Sequence, residues 1–321
     1  MPRATGFILQ TNVRMLRDRA VVHVHGVLDD GRSFLVRDGR DRPGFWIRKL
    51  DANRAAGLGA EVVDAGDDPH PRTATMAGDP VARVVVRAPG EIPPLRDRLE
   101  ASGIPCFEAD VPFASRYLID RGIRAAVEIE GDGKPGHGEN VVFDDPQLRP
   151  AEFSPDLAVL SIDIETDPTA RTLLSVALVG CGADEVLLLS PPAGPRASGA
   201  VACSDERSLL APFARRVREL DPDVLTGWNV VDFDFRVLGR MADHHRVAFD
   251  LGRGAGRLRV LDGRGQFGSG RALIPGRVVL DGLALVRGAF LRFDSYALNA
   301  VANEVLGLSL IHISEPTRPV G

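Results

Sequence analysis

The stretch Leu157–Glu165, LAVLSIDIE, decides the fold that the sequence predicts. Its short apolar run is typical of a buried β-strand, and the strand ends in two acids, Asp163 and Glu165. Side chains two positions apart on a strand point to the same face. Two carboxylates on one face repel and desolvate each other unless a cation lies between them, and Mg2+ and Mn2+ prefer such oxygen ligands. The stretch therefore predicts a strand that ends at a divalent-metal site.

An Asp-x-Glu pair alone is a weak signal for metal, because most such pairs lie on solvated strand faces. A second element is TGWNVVDFD, residues 226–234, in which Asn229 follows a predicted strand and Asp234 lies about one turn into the next helix. Taken singly, Asn229 is expected to be a helix N-cap and Asp234 to complement the helix dipole. Their combination with the two acids favours one site at the carboxyl edge of a sheet.

The elements around these motifs follow the order β-β-β-α-β-α. The predicted elements are strands at 157–165, 173–179 and 185–189, a helix with an apolar stripe at 209–220, a strand at 223–227 and a helix at 232–244. This order predicts an α/β fold of the ribonuclease-H-like type, with a mixed five-stranded sheet and flanking helices.

The first third of the chain predicts a mainly β domain. Short strands within residues 21–48, separated by turn residues, indicate a small antiparallel sheet, and a β-α-β spacing over residues 84–108 adds a second layer. The segment Gly131–Pro150 is rich in Gly, Pro and charge, which predicts a loose boundary segment. We therefore expect one domain at residues 1–150 and a second at 151–307.

Composition excludes several classes of protein. The chain has 321 residues, of which 44% are hydrophobic and 26% charged, so general disorder is excluded. No apolar run reaches the roughly 18 residues of a membrane helix, and no secretory signal is evident. The three cysteines form no CxxC pair, which argues against a disulfide framework or a Cys-rich zinc site and favours the cytoplasm. The net charge of −5 implies that any nucleic-acid binding is local or metal-assisted.

The two motifs resemble exonuclease motifs of B-family DNA polymerases. IDIET (162–166) is similar to the first motif, and NVVDFD (229–234) to the second. Further similar segments are DRPGFWIR (41–48), ADVPFASRYLIDRGI (109–123), DPDVLTGWN (221–229), GRVVLDGLALV (276–286) and SYALNAVANEVLG (295–307). The likeness covers about residues 5–307 and is greatest to the bacterial DNA polymerase II branch. It implies a DNA-directed DNA polymerase of replication and repair, with a 3′→5′ proofreading exonuclease.

The resemblance also implies a two-metal site that takes Mg2+ or Mn2+. Asp163 would bridge both ions, and Glu165 would ligate the ion that carries the attacking water. Asp234 would hold the second ion, directly or through water. All three acids would then be both catalytic residues and metal ligands.

The implied partner is DNA, bound by its single-stranded 3′ end. Asn229 and Thr166 would contact the terminal nucleotides, and Phe233 would support the pocket around them. A sliding clamp would bind through parts of the enzyme outside this chain. We expect a cytoplasmic, nucleoid-associated protein with no membrane partner.

The sequence departs from the family in its last part. The third exonuclease motif, Tyr-x-x-x-Asp, is missing, because Tyr296 is followed four residues later by Ala300. Asp281 is expected to cap the helix that follows it and not to replace the missing ligand. Residues 308–321 do not resemble the family and look like a translated sequencing adapter, the alternative being a native, variable tail. We therefore expect a fragment without exonuclease or polymerase activity of its own.

Two other functions are open from the residues alone. One is a non-catalytic single-stranded nucleic-acid-binding module, and the other a stand-alone exonuclease whose third acid comes from residues 281–307. Two weaker patterns also have two interpretations each. His23 and His25 share a strand face and form either a buried sheet face or a metal site. Arginines either contact phosphate or lie in a solvated loop at positions 253, 257, 259, 264, 271 and 277.

Overall fold

Backbone contacts divide the chain into two units, residues 1–156 and 157–321. The computed structural model describes residues 2–63, 74–190, 199–254, 256–263 and 270–307. Arg264 and the segment 308–321, which the sequence predicts to be a foreign tail, lie outside the described residues. None of the described helices is long and apolar enough to cross a membrane.

Strands dominate the first unit. Its strands are β1 (Arg3–Leu16), β2 (Arg19–Leu28), β3 (Ser33–Asp38), β4 (Gly44–Arg48), β5 (Glu61–Val63), β6 (Val81–Val85), β7 (Cys106–Phe107), β8 (Ala126–Glu130), β9 (Gly133–Pro135), β10 (Val141–Asp144) and β11 (Gln147–Pro150). Its helices are α1 (Ala52–Gly57), α2 (Ile92–Ala101) and α3 (Phe113–Asp120). Within the described ranges, these strands form a seven-stranded sheet, β11-β8-β1-β2-β3-β10-β9, and a four-stranded sheet, β5-β6-β4-β7.

The segment Gly131–Pro150 is an ordered part of the larger sheet, so the prediction of a loose segment was wrong. Its strand β10 pairs in parallel with β3, and β11 pairs antiparallel with β8. Val141, Phe143 and Leu148 from these strands are buried in the core of the unit. The Gly and Pro residues that suggested a loop surround strands of three or four residues, which are too short to show a hydrophobic period.

The two histidines of β2 are buried, as expected for a sheet face. His23 is 6% and His25 1% exposed, and His25 Nδ1 lies 3.0 Å from Glu139 Oε1. Burial lowers the pKa of His23 to about 4, and the nearby charges of His25, Arg14 and Arg37 act in the same direction. His23 is therefore neutral in the folded protein at neutral pH.

Acid is expected to destabilise the first unit through His23. Its pKa is about 4 in the folded chain and near 6.5 when unfolded, so the unfolded chain binds more protons between these values. The free energy of unfolding should therefore rise from pH 4 to pH 6.5, with a contribution of up to about 1.4 kcal/mol per pH unit from this group. Urea unfolding of the wild type and of His23→Leu across this range measures the difference in slope. Equal slopes would show that His23 is not the group responsible.

The second unit is built on one mixed sheet. Its strands are β12 (Val159–Thr166), β13 (Leu173–Gly180), β14 (Ala183–Leu189), β15 (Ala200–Cys203), β16 (Val224–Gly227), β17 (Arg259–Leu261), β18 (Arg271–Leu273) and β19 (Val278–Asp281). Its helices are α4 (Glu206–Leu220), α5 (Phe235–His244), α6 (Gly282–Gly288) and α7 (Leu298–Leu306), with a π-helical turn at Val230–Asp234. In the described part of the unit, the main sheet has the order β15-β14-β13-β12-β16-β19.

This order is the ribonuclease-H-like arrangement that the sequence predicts. Strand β13 runs antiparallel to β12 and β14, whereas β16 and β19 run parallel to β12. The described sheet has six strands instead of the expected five, because β15 adds to the edge in parallel with β14. Strands β17 and β18 form a separate hairpin.

The alternation along β12 explains which face carries the acids. Ile162 and Ile164 are buried in one core cluster with Phe213 of α4 and Leu238 of α5. Helix α4 begins after Asp205, whose carboxylate accepts a hydrogen bond from the Ser208 amide, and its apolar stripe covers the sheet. Because neighbouring side chains on a strand alternate, the acids of β12 lie on the opposite, uncovered face.

Candidate active site

Both acids of β12 are exposed on the face that the helices leave open. The pKa of Asp163 is raised above its usual range, because the surrounding protein displaces part of its hydration and because Glu165 is a nearby negative charge. The predicted pair of carboxylates on one strand face is therefore present, and the two carboxylates interact electrostatically.

Asp234 is brought to the same place by a hydrogen bond to β12. Its side chain is 2% exposed, and its Oδ1 accepts a hydrogen bond of 3.1 Å from the Ile164 amide. The parallel pairing of β12 with β16 ends at Ser161↔Thr226, so the Ile164 amide lies beyond the end of the ladder. The Asp234 carboxylate accepts the hydrogen bond that a neighbouring strand would otherwise accept. The donor, Ile164, lies between Asp163 and Glu165 in sequence.

Two of the three acids, Asp163 and Asp234, have raised pKa values. Burial, the charge of Asp163 and, to a smaller extent, the charge of Asp281 together raise the pKa of Asp234 to about 7, although the hydrogen bond from Ile164 acts in the opposite direction. Among the residues that the structure describes, no Arg, Lys or His forms an ion pair with Asp163, Glu165 or Asp234. A cation between these groups would lower both raised pKa values.

The donor atoms suit a hard divalent cation, but the described side chains do not enclose one. Asp163 interacts with Glu165 and with Asp234, and all their donors are carboxylate oxygens, which Mg2+ and Mn2+ prefer. In the described ranges, no group of three or more His, Cys, Asp or Glu side chains is placed to hold a metal ion. The structure thus brings the three predicted acids into one neighbourhood without a complete set of ligands around one point.

The backbone between β16 and α5 places Asp234. At the end of β16, a Cβ on Gly227 would lie 2.5 Å from the Ile162 carbonyl oxygen, so this approach to β12 needs a glycine. Asn229 adopts the left-handed conformation (φ 58°, ψ 25°) and starts the π-helical turn. Val230 and Val231 are buried and anchor the turn in the core. Asp234 is the last residue of the turn and precedes α5.

Comparison with known proteins identifies the family of this chain. Residues 192–301 match the model of the DNA polymerase family B exonuclease domain. The chain is 34% identical to DNA polymerase II of Escherichia coli (strain K12) over 232 residues, which is 71% of this chain and 29% of that protein. The chain belongs to the B family of DNA polymerases. It is also 26% identical to a DNA polymerase of Archaeoglobus fulgidus over 296 residues, 88% of this chain and 35% of that protein.

The fold of the family is also present. The family B DNA polymerase of the archaeon Pyrobaculum calidifontis superposes with a TM-score of 0.76 at 23% identity, covering 96% of this chain and 40% of that one. The predicted class, a ribonuclease-H-like α/β domain after a mainly β domain, is confirmed. The chain spans about a third of the length of the two curated relatives, 29% and 35%. The family-model match includes Asn229, Phe233 and Asp234 and begins after the two acids of β12.

The residues expected to contact nucleotides lie on the same strand and the same turn as the acids. Asn229 is half-buried, and no side-chain capping hydrogen bond forms at this helix start, so the interpretation of this side chain as an N-cap is not supported. Phe233 is 37% exposed on the same turn. Thr166 ends β12, and its hydroxyl donates a hydrogen bond of 3.0 Å to the Asp167 carbonyl. Their contacts with DNA stay predictions.

Two of the arginines with a predicted phosphate role are structural instead. Arg253 is 7% and Arg277 1% exposed, and both form ion pairs with Asp221. They are buried under the loop that precedes β16, so the interpretation as phosphate contacts or as a solvated loop was wrong for both. Their glycine-rich surroundings suggested a surface loop. In contrast, the arginines are exposed at positions 257, 259 and 271.

Asp281 caps α6, as the sequence predicts, and makes a second set of contacts that the sequence does not reveal. Its carboxylate accepts hydrogen bonds from the Leu283 and Ala284 amides at the start of α6. It also accepts from the amides of Asn229, at 3.2 Å, and Val231, at 3.0 Å. Asp281 therefore links α6 to the turn that carries Asp234.

Proposed function

We propose that residues 151–307 are the 3′→5′ proofreading exonuclease domain of a DNA-directed DNA polymerase, and that residues 1–150 are its N-terminal domain. The substrate is the single-stranded 3′ end of DNA. The observation that carries this proposal is the hydrogen bond from the Ile164 amide, which holds the buried Asp234 beside the exposed Asp163. Membership of the B family supports it, because exonuclease domains of this family generally depend on divalent metals.

Each acid has a separate role in this proposal. Asp163 interacts electrostatically with both other acids and would help to hold both ions. Glu165, on the exposed face, would help to hold the ion that activates water. Asp234 is the buried ligand, directed by the Ile164 amide. When bound, two Mg2+ or Mn2+ ions supply the charge that activates water and stabilises the scissile phosphate.

Three neighbouring residues bind the DNA end in this proposal. Thr166 and Asn229 contact the terminal nucleotides from the ends of β12 and β16. The exposed ring of Phe233 supports the pocket by contact with a base or sugar.

The 321-residue chain is expected to hydrolyse DNA poorly. Its two tyrosines, Tyr117 and Tyr296, are followed four positions later by Arg121 and Ala300, so the sequence contains no Tyr-x-x-x-Asp. The ligand and the water-orienting hydroxyl that this motif implies are then both missing. Metal binding is therefore a more direct test of the site than turnover.

Mn2+ binding to the 321-residue chain tests the proposed site. Asp163→Asn is expected to weaken binding by at least about tenfold, since the loss of a single supporting contact already costs 10–100-fold at metal sites. Titration followed by electron paramagnetic resonance measures free Mn2+. Asp184→Asn is the control, because Asp184 lies on the same sheet face, two strands away from β12. Equal Mn2+ affinity in the wild type and in Asp163→Asn would refute the site.

A nuclease assay on 3′-labelled single-stranded DNA separates the remaining functions. Little digestion is expected with Mg2+ present. Robust digestion that Asp163→Asn abolishes would show a stand-alone exonuclease instead. Salt-dependent DNA binding that survives both chelation and Asp163→Asn would favour a non-catalytic binding module.

A further inference from the structure

The carboxylate of Asp281 contacts four backbone amides from two different elements. Oδ1 accepts from Leu283 at 2.9 Å, from Ala284 at 3.3 Å and from Asn229 at 3.2 Å. Oδ2 accepts from Val231 at 3.0 Å. The first two contacts cap α6, and the last two reach across the sheet edge to the turn between β16 and α5.

The position of Asp281 in the sheet makes this reach possible. Asp281 is the last residue of β19 and pairs with Gly227, the last residue of β16, in a parallel ladder. The carboxyl ends of the two strands therefore meet at the same edge. The chain leaves β16 through the left-handed Asn229, a conformation that costs energy outside glycine and needs support from its surroundings. The two amides of the turn that donate to Asp281 are those of Asn229 itself and of Val231, two residues later.

We propose that Asp281 is a positioning residue for Asp234, because it fixes the turn Asn229–Asp234 in the conformation that directs the Asp234 carboxylate to the Ile164 amide. The importance of this role for catalysis rests on the proposed function. The hydrogen bonds of Asp281 and Asp234 are present without a metal ion. Asp281 touches neither β12 nor the nucleotides in the proposal. Its charge also raises the pKa of Asp234, but its positioning role acts through the two backbone amides, which a helix cap alone would not require.

Asp281→Ser separates the two roles. Serine is as good an N-cap as aspartate, so α6 keeps its cap, but one short hydroxyl cannot also reach Asn229 and Val231. Asp281→Asn is the milder second variant. It keeps one acceptor oxygen and places an amide group where Oδ2 accepts from Val231. Asp205→Ser is the matched control, because Asp205 is the N-cap of α4 in the same unit and makes no contact with the turn.

The readout is amide hydrogen exchange by NMR on the full chain, together with Mn2+ titration. In Asp281→Ser the amides of Val231 and Ile164 are expected to exchange about tenfold faster or more. The Val231 amide loses its acceptor, Asp281, and the Ile164 amide loses its acceptor when Asp234 is no longer held in place. Mn2+ affinity is expected to fall by a similar factor. Asp205→Ser should change neither quantity. Asp281→Asn should expose the Val231 amide and leave the Leu283 amide protected.

The outcomes distinguish this inference from the proposed function. Unchanged protection of Ile164 in Asp281→Ser overturns the positioning role, whatever the metal data show. Faster exchange at Ile164 with unchanged Mn2+ affinity upholds the positioning of Asp234 by Asp281 and overturns its importance for metal binding. If the wild type binds no Mn2+, the proposed function fails, and the exchange of Ile164 alone decides whether Asp281 positions Asp234.

Discussion

Replacing Arg277 by Met is expected to lower the free energy of unfolding of the second unit by about 3–5 kcal/mol. The guanidinium is 1% exposed. Its Nε donates to the Leu251 carbonyl at 2.7 Å, and its Nη1 donates to the Pro222 carbonyl and lies 2.9 Å from Asp221 Oδ1. Burial, together with the neighbouring charge of Arg253, lowers the pKa of Arg277 to about 10, so the group is still charged at neutral pH. Met fills much of the volume but removes the side-chain donor of the Leu251 and Pro222 carbonyls, whereas Asp221 keeps its contact with Arg253.

Unfolding of the second unit can be followed separately through tryptophan. The chain has two tryptophans, Trp46 in the first unit and Trp228 in the second, so a Trp46→Phe background reports the second unit alone. Arg257→Met is the control, because the Arg257 side chain is 76% exposed and lies 4.0 Å from Asp243. Its loss should cost less than about 1 kcal/mol. Similar destabilisation by both substitutions would contradict a structural role for Arg277.

Gly227→Ala is expected to damage both the stability of the second unit and the acidic site. The new Cβ would lie 2.5 Å from the Ile162 carbonyl oxygen and 3.0 Å from Val230 Cβ. Neither contact can be relieved by rotation of a flexible side chain, so the end of β16 must move away from β12. Overpacking of this kind costs about 1–3 kcal/mol or more. The turn that carries Asp234 begins two residues later and should move with the strand.

Two measurements check this prediction. Trp228 fluorescence in urea gives the loss of stability, and the Mn2+ titration gives the loss of the site. Gly288→Ala is the control, because a Cβ there meets no atom within 4 Å and alanine is favoured in a helix. A Gly227→Ala protein with the stability and Mn2+ affinity of Gly288→Ala would show that the close approach of the strands is not needed.

The acids of β12 could be predicted because their signal is local. The alternation of Ile162 and Ile164 with Asp163 and Glu165 fixes the strand, its buried face and the face of the acids within five residues. The neighbourhood of Asp234 also followed from the order of elements, since successive parallel strands end at the same edge of a sheet. Resemblance to a known family added the expected role of each acid.

The supporting residues could not be predicted, because their partners are distant in sequence. Arg277 donates to a carbonyl 55 positions away, and Asp281 accepts from an amide 52 positions away. Composition even pointed in the wrong direction for Arg277, which lies in an Arg- and Gly-rich segment typical of a surface loop. For Asp281 the sequence predicted only the local role of a helix N-cap. Its second role depends on the parallel pairing of β16 and β19, which the sequence does not specify.

The strand order of the first unit has a consequence during synthesis. Strand β1 is 14 residues long and pairs on one side with β2, the next strand to be made. Its other edge pairs with β8, so the pairing of Arg3 with Glu130 can form only after Glu130 has left the ribosome. In that interval the nascent chain presents an unpaired strand edge, which is a template for association with other chains. Slow translation and poor chaperone access are therefore expected to favour aggregation of this unit, because both prolong or expose the unpaired edge.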